Sequence, residues 1–369
     1  MRLGVDGRVL APPETGVARY LRGLLSQWPA LRRPDDLLEL LVDRELAGVA
    51  PVATVVRVFR WPFPGGDPAW RQLRLAPALH GRGFDLLFCP FYTIPLASRV
   101  PAVVTIHDVS FVAHPEWFRA RARLAFRLAT PSAFAARKVL TPSRFSAGEI
   151  TRWLGVPSRR IEVTPLGLAP GWLEEPSAKT RRGARDWLGW DGPYLLHLGA
   201  VHTRRNVDLF VRAFARLGGS FPDLRLVIAG PELRPAPDLA RLCRDLGCEG
   251  RVLRRPWVPE ELLAGLLAEA DVLGYLSEYE GFGIPALEAL ACGTPVLALR
   301  RASLPEVLGD AAVWVESKSV SAVEAALGSL LGDASARRDL AAAGLCRARR
   351  FTWRRCAEMT FQLLRNLAG

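Results

Sequence analysis

Short runs of Val, Ile and Leu recur along this chain of 369 residues, and most are followed by a turn and a longer helix-like stretch. Strand-like runs fall at Leu3–Val9, 37–42, 54–59, 85–89, Val103–Asp108, Lys138–Ser143 and Ile161–Gly167. They resume at Tyr194–Ala200, Leu224–Gly230, Arg251–Val258, Asp271–Leu276, Thr294–Ala298 and near 312–316. Parallel strands need a long crossover to pair, and helices that supply it cover both faces of the sheet. The alternation therefore predicts the α/β class with parallel sheets. Trp61–Pro68 reads as a loop from its prolines and glycines. Residues 169–190, rich in Pro, Gly, Trp and charge, read as a linker between a first domain at 1–168 and a second at 191–350. A closing helix is expected over 351–369.

The most chemically loaded stretch runs from Glu280 to Glu288 as Glu280-Gly281-Phe282-Gly283-Ile284-Pro285-Ala286-Leu287-Glu288. It follows a strand-like run, and Pro285 suits the first turn of a helix, where its missing N–H costs nothing. The N–H groups of Gly283, Ile284 and Ala286 are expected to be free at that helix start and to face a phosphate. Gly281 and Gly283 let the backbone approach a ligand closely. Two carboxylates beside a phosphate repel it unless they accept hydrogen bonds from hydroxyls. A sugar and a ribose supply those hydroxyls, so a nucleotide-sugar fits this stretch better than an inorganic anion. An E-x7-E spacing without such neighbours is ordinarily a pair of solvated acids.

The 49 Lys and Arg outnumber the 37 Asp and Glu, and the excess is uneven. Residues 1–168 carry 23 basic against 13 acidic side chains, the remainder 26 against 24. A basic first domain attracts nucleic acid, anionic lipid headgroups or phosphorylated substrates. The stretch 117–138 interleaves arginines with Trp117, Phe118, Leu124 and Phe126, with Pro131 expected to interrupt it. Such a stretch fits peripheral contact with an anionic membrane and equally a solvated face on a core helix. No apolar run approaches the ~20 residues needed to span a bilayer, and the first residues, with Asp6 among them, read as a strand and not as a signal peptide. The six cysteines show no paired metal-ligand spacing, which favours a reduced, cytoplasmic setting.

Three further sites stand out. Gly16 lies at the first strand-to-helix turn, where a glycine is most often an ordinary turn residue. His107 and Asp108 end a buried-type strand, the end at which open α/β sheets bind ligands. Arg204-Arg205-Asn206 precedes a helix from Val207, with Asn206 as the expected N-cap. Two adjacent arginines at a helix start can clamp a diphosphate, although an isolated pair is ordinarily surface charge.

The stretches Ser277–Val296, Thr105–Phe118 and Ser303–Val307 together resemble retaining glycosyltransferases of family 4. That resemblance runs nearly end to end and implies the GT-B fold: two Rossmann-like domains facing each other across a cleft, with a terminal helix crossing back to the first. It implies a metal-independent hexosyltransferase, of the bacterial mannosyltransferase or polysaccharide-biosynthesis type. The expected donor is a UDP- or GDP-linked mannose or glucose, the expected acceptor a lipid-linked or saccharide molecule, and no cofactor beyond the nucleotide-sugar is implied. By the same resemblance Glu280 holds sugar hydroxyls, Glu288 the ribose, and Phe282, Gly283 and Ile284 the phosphates. Arg204 and Arg205 meet the leaving-group charge, and Gly199, Gly230 and Val258 line the nucleotide pocket. His107, Glu280 and Arg205 form the catalytic set, Gly16 and Asp108 face the acceptor, and no metal ligand is expected. Arg205 stands where the family has Lys, and Ala200 where some members carry a further basic residue. This departure motivates one rival, a nucleotide-sugar binder without turnover. The basic half motivates another, a nucleic-acid binder, but no nucleic-acid-reading motif accompanies it.

Overall fold

The computed structural model describes residues 1–11, 15–46, 55–60 and 67–369. They form two compact units, one of Met1–Gly167 with Phe351–Gly369, the other of Leu168–Arg350. The first unit holds β1 (Arg2–Asp6), β2 (Leu37–Val42), β3 (Val55–Val58), β4 (Leu86–Cys89), β5 (Ala102–Thr105), β6 (Lys138–Thr141) and β7 (Ile161–Val163). They pair in parallel in the order β3-β2-β1-β4-β5-β6-β7. The second holds β8 (Tyr194–Leu198), β9 (Arg225–Ala229), β10 (Val252–Arg255), β11 (Val272–Tyr275), β12 (Val296–Leu299) and β13 (Ala312–Val315). Their order is β10-β9-β8-β11-β12-β13, again all parallel. Both orders reverse direction once, between β1 and β4 and between β8 and β11. In such sheets ligands bind where that reversal opens a crevice beyond the carboxyl ends of the strands.

Central strands are buried along their whole length, as in β4, β5, β8, β11 and β12. Edge strands β7 and β10 are only half-buried, because one side lacks a neighbour. Helix ends follow local chemistry. Thr15, Ser143 and Thr352 each accept a backbone N–H three residues on, and Gly155 closes the Arg144–Leu154 helix in the left-handed region at φ 75°.

The terminal helix Trp353–Ala368 packs within the first unit against helix Gly16–Leu31. Trp353 lies over Gly23, where an added Cβ would sit 2.2 Å from the indole. Phe361 meets Trp28 at 5.6 Å, and Arg365 reaches Leu31 and Asp36 at 3.1 and 2.9 Å. The chain thus leaves the first unit at Gly167 and returns to it at Phe351.

Several elements differ from the sequence reading. Residues 169–190, read as a linker, contain helix Ala178–Leu188, which belongs to the second unit. Its charges are segregated: Arg181 and Arg185 bind Glu269 at 3.1 and 2.9 Å, while Ala184 and Leu188 are buried. Total composition hides that segregation. The first strand stops at Asp6, not Val9, because a short 3-10 turn begins at Arg8. Pro131 does not interrupt the basic stretch. It sits in the first turn of helix Ala129–Ala135, and the break falls before it, after helix Ala120–Ala125. Of the loop read at 61–68, residues 61–66 lie outside the described residues, and Asp67 begins a helical turn. Residue 54 of the expected third strand likewise lies outside them.

Candidate active site

The reversal between β8 and β11 brings together two segments far apart in sequence. Beyond β8 the chain runs through Gly199 to a 3-10 turn, Thr203–Arg205. Beyond β11 it runs through Leu276 to Glu280. Two hydrogen bonds lace them: Asn206 Nδ2–H donates to the Leu276 carbonyl at 2.8 Å, and Glu278 N–H to the Arg204 carbonyl at 2.9 Å. His202 Nδ1 accepts the Arg204 N–H at 3.2 Å and fixes the turn. Asn206 is therefore not the side-chain cap expected of it. It adopts the left-handed region at φ 49°, and its amide ties the two segments instead.

Glu280 is the buried centre of this arrangement. Ser277 Oγ–H donates to its Oε1 at 3.0 Å, and Arg205 Nε forms an ion pair with the same oxygen at 3.3 Å. Ser303 Oγ–H holds the Glu280 backbone carbonyl at 2.8 Å. Burial pushes the Glu280 carboxyl up, but Arg205, then Arg204, and the Ser277 hydroxyl outweigh it and hold the group below its ordinary value. The result is a fixed, ionised carboxylate against two guanidiniums. Glu288 is also buried, in the middle of helix Ile284–Ala291.

The glycines have distinct reasons to be glycine. At Gly199 (φ 123°) a Cβ would lie 2.0 Å from Arg205 Nη1, so the guanidinium packs directly over the backbone. At Gly230 (φ 140°) it would lie 2.2 Å from the Gly199 carbonyl oxygen, so two strand ends touch there. Gly283 precedes the helix at φ 96°, and Phe282 packs its ring inside while Ile284 is half-buried. Ala286 N–H is not available to a ligand as expected, because it donates to Gly283 O at 3.1 Å in a tightened first turn. Val258 is buried between β10 and helix Glu260–Ala268.

In the first unit His107 follows β5 and Pro90 follows β4. His107 Nε2 donates to the Pro90 carbonyl at 3.0 Å, and Tyr20 meets the ring edge-on at 5.0 Å. Burial lowers the His107 pKa more than Pro90 and Asp108 raise it, so the imidazole is neutral with its proton on Nε2. Asp108 Oδ1 accepts from Ser110 N–H and Oγ–H at 2.9 and 2.7 Å, which starts the next helical turn. Gly16 opens the first helix, exposed, with open space where a Cβ would be, and residues 12–14 before it lie outside the described residues.

Sequence reasoning passed over His197, Ser277, Tyr275 and Ser303. His197 is buried in β8, and its burial and the nearby Arg205 push its pKa down to about 3. It carries no local signal in an apolar strand. The serines flank the E-x7-E stretch closely enough that their hydroxyls could have been weighed with it.

Comparison with known proteins identifies the family and the fold. Residues 188–345 match the family model of glycosyl transferases group 1, and residues 15–171 that of glycosyltransferase family 4. The O-antigen chain mannosyltransferase B of Escherichia coli is 33% identical over 272 residues, 72% of this chain and 70% of the relative. An MMP alpha-(1->4)-mannosyltransferase of Mycolicibacterium hassiacum is 30% identical over 327 residues, 81% of this chain and 75% of the relative. The Anabaena Alr3699/HepE structure in complex with UDP and glucose superposes with a TM-score of 0.77 at 19% identity, covering 99% of this chain and 100% of that one. The fold is GT-B, and the chain belongs to glycosyltransferase family 4.

Proposed function

We propose that this glycosyltransferase is a retaining, metal-independent hexosyltransferase that uses a UDP- or GDP-linked mannose or glucose. The observation that carries this reading is Glu280, held as a carboxylate by Ser277 and Arg205 beside Arg204. A fixed carboxylate accepts sugar hydroxyls, while paired guanidiniums favour a leaving diphosphate as its charge develops. Phe282, Gly283 and Ile284 bring backbone N–H groups to the phosphates, and Glu288 takes the ribose. Gly199, Gly230 and Val258 border the nucleotide. His107, neutral and fixed, helps place the sugar. In the transfer the bond from the anomeric carbon to the phosphate oxygen breaks, and a bond to the acceptor oxygen forms on the same face. The leaving phosphate takes the acceptor's proton.

Mannose is favoured because both relatives described above carry mannosyltransferase names. The basic first domain, with Gly16 and Asp108 on its acceptor side, favours a lipid-linked or saccharide acceptor with negative charge. Leu124, Phe134 and Trp153 expose apolar surface in that arginine-rich unit, which supports peripheral contact with the inner face of a membrane. No described helix is long and apolar enough to cross one.

A panel of UDP-, GDP- and ADP-sugars tests the reading by thermal shift and slow hydrolysis, with Glu280→Ala as control. One donor should stabilise the protein and be hydrolysed, with hydrolysis lost in the variant. Stabilisation without turnover, even with an acceptor extract, would favour the non-catalytic binder, consistent with Arg205 and Ala200 departing from the family. No response to any nucleotide-sugar would overturn the reading.

A further inference from the structure

The second unit contains a cavity of about 830 Å³ between the loop after β9, helix Leu239–Asp245 and edge strand β10. None of the residues assigned to the nucleotide-sugar above lines it. Its floor is apolar, from Leu239, Cys243 and Val252, and its rim carries Arg234, Arg244 and Arg254 with the acids Glu232, Glu249 and Asp238, the last accepting the Arg241 N–H at 3.0 Å.

The arginines are the informative part. Among the described residues, no ion pair within 4.0 Å engages Arg234, Arg244 or Arg254, although many other arginines of this chain are paired. Arg254 is half-buried and donates to the carbonyls of Ile228 and Gly230 at 3.2 and 3.5 Å, contacts that do not neutralise it. Burial lowers its pKa, and Glu232 opposes that only in part. A partly desolvated guanidinium with no ion pair within 4.0 Å is stabilised further by an anion. The acids on the same rim would repel a bare anion but accept hydrogen bonds from hydroxyls. The cavity is large enough for a sugar-sized molecule.

We infer that this cavity is a second ligand site, separate from the nucleotide-sugar site, for a phosphorylated sugar or polyol. The phosphate lies against Arg234, Arg244 and Arg254, and the hydroxyls face Glu232 and Glu249. The cavity wall is joined to the arginine-bearing turn: Val201 N–H donates to Pro231 O at 2.8 Å, Leu233 N–H to Val201 O at 3.0 Å, and Thr203 N–H to Pro235 O at 3.0 Å. The site goes beyond the transferase reading and does not depend on it.

Equilibrium titration of the full chain with glucose 6-phosphate, inorganic phosphate and glucose tests the site. Glucose 6-phosphate should bind at least tenfold more tightly than either half-molecule. Arg244→Gln, on the exposed face of its helix, should weaken it about tenfold. Ala240→Trp, also exposed, fills the cavity from the rim and should abolish binding. Both variants should keep the wild-type thermal midpoint and nucleotide-sugar response, and saturating nucleotide-sugar should not displace glucose 6-phosphate. Absence of binding, equal binding by Ala240→Trp, or displacement by the nucleotide-sugar would each overturn the inference. The parallel nucleotide-sugar titration separates that failure from a failure of the transferase reading.

Discussion

Gly199 and Gly230 sit on adjacent strand ends, yet they should respond differently to the same methyl group. A Cβ at Gly199 meets the end of the Arg205 side chain, which can swing away; at Gly230 it meets a backbone carbonyl, which cannot. Gly230→Ala should therefore lose roughly 2–4 kcal/mol of stability, read as a shift of the urea midpoint. Gly199→Ala should lose only about 1–2 kcal/mol but weaken nucleotide-sugar binding roughly tenfold, because Arg205 is displaced from Glu280. At Glu280 itself, Glu280→Gln keeps the shape and the Ser277 contact but removes the charge facing Arg205. Turnover should fall by roughly 10²-fold with the fold retained, measured as initial rate beside far-ultraviolet circular dichroism. Wild-type turnover in that variant would remove the carboxylate from the mechanism.

At the scale of elements, the terminal helix is a structural member of the first unit. Its indole occupies the space that Gly23 leaves open on helix Gly16–Leu31. Gly23→Ala should overpack that contact and destabilise the first unit by roughly 1–3 kcal/mol. Hydrogen exchange should show the loss in β1 and β4 and not in β8 or β11. Gly16→Ala, on the same helix but in open space, should be neutral or stabilising by up to about 1 kcal/mol. If it nevertheless lowers transfer, Gly16 acts on the acceptor. Much of this level was legible in advance. Strand Leu37–Val42 has the bounds its apolar run predicts, and Pro285 and Cys292-Gly293 mark the two ends of helix Ile284–Ala291. Helix Ala178–Leu188 was not legible, because arginines paired with Glu269 look like linker charge until Glu269 is known to be adjacent.

For the whole molecule, buried histidines contribute to the loss of stability in acid. His197 titrates near the ordinary 6.5 when unfolded and near 3 when folded. The unfolded chain then binds the proton first, so stability is complete above pH 6.5 and falls as pH drops toward the folded value. The slope should be about 1.4 kcal/mol per pH unit from this residue, and His107 adds a loss of the same sign. Glu280, with its pKa lowered, contributes stability above the carboxylate range that is lost only as pH falls through its folded value. Urea midpoints between pH 7 and 5 should flatten in His197→Asn, and an unchanged slope would show that another group dominates. The α/β class, the two-domain scale, and the Glu280–Glu288 and His107–Asp108 segments are legible from the amino-acid order alone. Each of these is written in consecutive residues, through hydrophobic period, turn chemistry and motif spacing. Long-range packing alone sets Arg205 against Glu280, makes Gly199 leave room for Arg205 and Gly230 leave room for the Gly199 carbonyl, and keeps His197 neutral. Those facts depend on sheet order, which places β8 beside β11, and on burial, which sums the surroundings of a group over the whole fold.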